Sequence, residues 1–147
     1  MSADLRHEMA DAFDAVLGDM RQAASRLTAA LAAERDALER ADADALHLAG
    51  QDKQAQLDRL EQLDAERQQL ARAVAATTPA QRAAWEGVMS TLADCRHANQ
   101  SNGQIVGQRL RQVRQALAVL TGGAESGVYG PGGTLRIDHR SLSLAEA

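Results

Sequence analysis

Apolar residues recur through the first forty positions at Leu5, Met9, Phe13, Val16, Met20, Ala24, Leu27, Leu31 and Leu38. Steps of three and four keep these side chains on one stripe of an α-helix, which turns once every 3.6 residues. The stripe is narrow, a coiled-coil-like seam rather than a broad globular face, and only Glu34 interrupts it. A helix over 4–40 is predicted, roughly 55 Å long at 1.5 Å per residue. A second seam follows at Leu46, Ala49, Lys53, Leu57, Leu60, Leu63, Arg67, Leu70 and Val74. The break between the two falls in "ERADADAL", where Asp42 is the N-cap candidate because its carboxylate can accept an unpaired amide at the helix start. Lys53 and Arg67 are unusual on a seam; their stems can lie along apolar neighbours while the heads reach water or a carboxylate.

"ATTPAQ" marks a sharper start. Thr78 as N-cap, Pro79 at the first helical position and Gln81 at the third make a capping box. The third seam runs through Trp85, Val88, Leu92, Cys95, Asn99, Asn102, Val106, Leu110, Val113, Leu117 and Leu120, and Gly122-Gly123 is expected to end it. Inside this helix stands "HANQSNGQIV", with the strongest of short turn signals, Asn-Gly. The seam nevertheless stays in phase across it, whereas a turn would reset the phase. Two Asn, a Ser and a Gly cost about 2–3 kcal/mol of helix propensity relative to Ala, which tertiary packing can offset. A continuous helix with Asn99 and Asn102 on the seam is predicted; the competing reading is a turn at Asn102-Gly103 and four shorter helices.

Residues 122–147 are Gly-rich, aperiodic and weakly apolar. They are expected to form a flexible tail beyond a helical domain over 1–121, with "SLSLAEA" able to form a short helix on binding. Three aromatic residues in 147 and few β-branched ones argue against strands. The expected fold is all-α: an antiparallel bundle of three long helices with coiled-coil-like seams, plus the tail.

Charge is unevenly placed. Net charge is −3 over 1–41, −3 over 42–76, +3 over 77–121 and −1 over 122–147, giving −4 in all. The third segment can therefore pack favourably against the first two. With no basic surplus and almost nothing to stack bases on, nucleic acid is not an expected partner. Cys95 is the sole cysteine, which excludes an intrachain disulfide. No signal peptide, lipid box or long apolar run is visible, so a cytoplasmic location without membrane insertion is expected.

Candidate chemistry is sparse. Asn99 and Asn102 can set helix register, as buried Asn does in coiled coils, or keep a weakly packed seam open for another chain's helix; the two roles are compatible. Asp44/His47 and Asp94/His97 have the spacing used in di-metal bundles, but neither pair lies on a seam, so no metal and no cofactor is expected. Cys95 reads as a small apolar filler. Tyr129 in "YGPGG" is either idle or an aromatic recognition anchor. No carboxylate pair or Gly-rich loop after a strand supports an enzyme.

Several stretches resemble the FlgN family of flagellar type III export chaperones. They are "LTAALAAERDALERADADAL", Lys53 with "LDRLEQLDAERQQL", "NQSNGQIV", and "YGPGGTL" in the tail. The Asn-x-x-Asn-Gly element in a helical context, with the Tyr-Gly-x-x-Gly tail, carries the resemblance most specifically. The resemblance implies a non-catalytic protein that holds the hook-associated proteins FlgK and FlgL through an amphipathic C-terminal segment and delivers them to the export gate. It also places client binding on the third helix and tail, with Tyr129 the contact with the gate protein. The physics agrees: three antiparallel helices leave a groove that a fourth helix completes. The expected client surface is Asn99, Asn102, Gly103, Val106, Leu110, Val113, Leu117 and Leu120, on a monomer or weak homodimer. The rival reading is a self-associating coiled-coil adaptor without an export client, which the seams support equally.

Overall fold

The computed structural model describes residues 2–128. Three helices make up the structure: α1, Ala3–Arg40; α2, Ala43–Ala73; and α3, Pro79–Val128. The fold is all-α, with no strand among the described residues. The chain divides into two compact units, Met1–Ile105 and Val106–Ala147, and the boundary falls inside α3.

Within the first unit, α1, α2 and the opening half of α3 form an antiparallel bundle. Cross-links between α1 and α3 join Asp14 to Gln81, Thr28 to Cys95 and Leu31 to Asn102, residues 67 to 71 apart, so these helices run parallel. Between α2 and α3, Lys53 meets Asn99 and Arg67 meets Trp85; position rises on one helix as it falls on the other, so α2 runs against them.

Both ends of α1 and the starts of α2 and α3 have a local cause. Ser2 starts α1, its hydroxyl accepting from the Leu5 N–H at 3.3 Å. At the other end Ala41 takes the left-handed conformation (φ 52°, ψ 40°). There the Asp42 N–H reaches the Ala37 carbonyl and the Ala41 N–H the Leu38 carbonyl, a Schellman closure made without glycine. Asp42 then caps α2, its Oδ1 accepting from the Ala45 N–H at 3.0 Å. One residue thus closes α1 and opens α2, which explains a break without Gly or Pro. At α3 the capping box forms as predicted: Thr78 Oγ1 accepts from the Gln81 N–H at 3.1 Å, and Gln81 Oε1 from the Thr78 N–H at 2.9 Å.

The core comprises Val16, Met20, Ala23, Leu27 and Leu31 of α1, Leu60 and Leu63 of α2, and Val88 and Cys95 of α3. α1 departs from the narrow seam expected of it. Leu17, Ala23, Ala30 and Ala37 are buried beside the seam residues, because α1 packs against two helices and needs a wider stripe than a two-stranded contact. Small side chains supply that width: Ala29, Ala30 and Ala33 line a hollow whose other side is Asp52 and Gln56 of α2. α2 buries only Ala49, Leu60 and Leu63.

Two expectations about α3 have definite outcomes. The helix is continuous through Asn102-Gly103, so the four-helix alternative is excluded. The expected stop at Gly122-Gly123 is not observed; α3 continues to Val128. Glycine costs about 1 kcal/mol per helical position relative to Ala but removes no backbone donor, and the next proline is Pro131. The predicted flexible segment from 129 onward, Tyr129 included, lies outside the described residues.

Candidate functional site

The polar interruptions of the three seams meet in one layer of the bundle. Glu34 of α1 is buried, and its Oε2 lies 2.8 Å from Lys53 Nζ of α2. Lys53 also donates to Asn99 Oδ1 at 3.2 Å. Asn102 Nδ2 donates to Glu34 Oε1 and to the Leu31 carbonyl, both at 3.0 Å. Its Oδ1 is buried without a hydrogen-bond partner. Next to the layer, Arg35 Nη1 donates to Ser101 Oγ at 2.7 Å. Each of these residues opposes helix formation or desolvation taken alone; together they satisfy one another, apart from that one oxygen. The sequence displayed all four, but nothing in one dimension showed that they share a layer.

The other seam cation has a different solution. The Arg67 guanidinium lies over the Trp85 ring, 3.9 Å from its centroid, and bonds Asp64 at 2.9 Å. Between the Arg67–Trp85 and Lys53–Asn99 links, α2 and α3 leave a groove of about 250 Å³, lined by Leu27, Leu31, Leu57, Leu92, Cys95 and Arg96 among others. That space accepts a few side chains, not a helix about 10 Å across. Cys95 packs in the core as expected, its Sγ 3.3 Å from Thr28 Oγ1.

The expected client residues thus divide by environment. Asn102 is 2% exposed and its amide nitrogen is committed to α1. Asn99 is exposed and accepts from Lys53 through its Oδ1. Gly103 is exposed, with open space where a Cβ would stand. These three belong to the first compact unit; Val106, Leu110, Val113, Leu117 and Leu120 belong to the second. The second set stays on one stripe of α3 and is 48–80% exposed. The second set thus forms an aliphatic heptad seam open to solvent.

Asp44, His47, Asp94 and His97 are all exposed, and among the described residues no three His, Cys, Asp or Glu side chains converge to hold a metal ion. Among the described residues, no helix is long and apolar enough to cross a membrane. The architecture is that of an all-α helical-bundle protein. A family model described as FlgN protein matches residues 9–137, and the chain belongs to the FlgN family. The family's function is flagellar export chaperoning, not catalysis. No curated protein and no solved structure matches the chain.

Proposed function

We propose that this chain is a cytoplasmic chaperone for the hook–filament junction proteins of the FlgK and FlgL type. It takes the amphipathic C-terminal helix of its client on the α3 stripe Val106, Leu110, Val113, Leu117 and Leu120, prevents premature association, and brings the client to the export gate. Tyr129 is the proposed contact with the gate protein. Asn102 acts from inside the bundle, setting the register of α3, rather than by touching the client.

The observation that carries this reading is the exposure of five aliphatic side chains at heptad spacing on one helix. A client helix laid along them buries apolar surface in the helix-to-helix mode, each side chain contributing about 1 kcal/mol or more. Ordering the client costs roughly 2–5 kcal/mol, which holds affinity in a range that permits release.

The test is co-expression with junction proteins and their C-terminal truncations. Val113→Asp with Leu117→Asp is expected to abolish capture while α1 and α2 keep their helicity by circular dichroism; normal capture by this variant means the surface is wrongly assigned. The same seam also favours the rival reading, a self-associating adaptor. Light scattering separates the two: an elongated homo-oligomer that takes no client supports the rival, and a one-to-one client complex supports the chaperone.

A further inference from the structure

We infer that the α3 seam selects an acidic partner helix, one carrying Glu or Asp beside its apolar stripe, and that the same arginines oppose pairing with a second copy of this chain. The inference rests on the client-helix reading and adds the chemistry that chooses the client. Leu110 and Leu117 occupy a positions and Val106, Val113 and Leu120 d positions of one heptad frame. In that frame Arg109 stands at g and Arg114 at e, one on each side of the stripe, and Arg111 stands further out at b. The remaining e and g positions between 107 and 121 are Gly107, Ala116 and Thr121, which carry no charge. No acidic residue occurs between Asp94 and Glu125. None of the three arginines forms a salt bridge among the described residues, so their charge is available to a partner.

Groups at e and g line the edge of a helix–helix contact and set partner choice and orientation. In a parallel pair of two copies, g of one heptad faces e of the next, which brings Arg109 against Arg114 of the other copy, twice. In an antiparallel pair g faces g and e faces e, and arginine is again the only charged flank in any register. Like charges across such an edge destabilise by about as much as opposite charges stabilise. Self-pairing is therefore penalised and an acidic helix rewarded by the same residues, which is how specificity is gained from a simple apolar stripe. An anionic lipid surface fits less well. The stripe is narrow and purely aliphatic, and 106–122 holds no aromatic anchor of the kind interfacial helices use.

The test uses the full chain and two synthetic helical peptides with Leu at every a and d position. One carries Glu at all e and g positions, the other Lys. At low salt the wild type is expected to bind the Glu peptide about tenfold more tightly than the Lys peptide, with most of that preference lost at high salt. Arg109→Glu with Arg114→Glu is expected to invert the preference, with unchanged helicity because both side chains lie on the helix surface. Equal binding of both peptides, the same preference in the variant, stronger binding to phosphatidylglycerol vesicles than to the Glu peptide, or a wild-type homodimer that V113D/L117D dissociates would each overturn the inference. Failure of the client reading is separately visible, because only that failure leaves junction-protein capture intact in V113D/L117D.

Discussion

Asn102→Ala tests what an asparagine is doing inside α3. The wild-type amide donates to the Leu31 carbonyl and to Glu34 Oε1, each at 3.0 Å, in a fully buried setting. Removing it loses one neutral hydrogen bond worth about 1 kcal/mol and one to a carboxylate worth about 1.5–3 kcal/mol. Two terms oppose this. The unpartnered Oδ1 disappears, recovering about 1 kcal/mol, and Ala improves helix propensity by up to about 0.7 kcal/mol. The balance is a destabilisation of about 1–2 kcal/mol, or a fall in melting temperature of roughly 2–8 °C for a chain of this size. Urea denaturation followed by circular dichroism at 222 nm reads the change directly. A double-mutant cycle with Glu34→Ala is expected to give a coupling of about 1 kcal/mol or more, since the two side chains share a bond. A midpoint that stays put or rises in Asn102→Ala, with no coupling to Glu34, would refute the view that this layer holds α3 in register.

Three further outcomes follow from local geometry. Ala41→Gly should stabilise the protein by about 1 kcal/mol in the same denaturation assay, because Ala41 sits at positive φ, where its Cβ is strained. Thr78→Ala should lower stability by about 1 kcal/mol through loss of the hydroxyl acceptor at the start of α3, whereas Thr78→Ser should be near neutral. Arg67→Ala should cost about 0.5–2 kcal/mol and shift Trp85 fluorescence, since the guanidinium covers the ring; unchanged emission would mean the stack does not persist in solution.

The aliphatic stripe of α3 and the polar layer were legible to different degrees. The aliphatic positions Val106 to Leu120 could be read from spacing alone, but their exposure could not. A seam that is buried, as at Val16 and Met20, and one that is open, as at Val113 and Leu117, have the same periodicity. Glu34, Lys53, Asn99 and Asn102 each stood out as an exception to its own seam. Their common purpose needed the register between helices, which depends on where the turn at Ala41-Asp42 and the capping box at Thr78 place each chain segment.

What the amino-acid sequence determined by itself is the set of local signals: three helices from periodicity and propensity, starts at Asp42 and Thr78 from capping chemistry, and an uninterrupted α3 from the preserved phase across Asn102-Gly103. These are properties of residues a few positions apart, so they need no knowledge of neighbours. Only the tertiary structure decided that α1 is flanked on two sides and buries alanines beyond its seam, that four polar residues from three helices satisfy one another, and that α3 leaves its later aliphatic stripe in solvent. Those outcomes depend on which surfaces meet, and burial is a property of the assembled packing that no single helix pattern encodes.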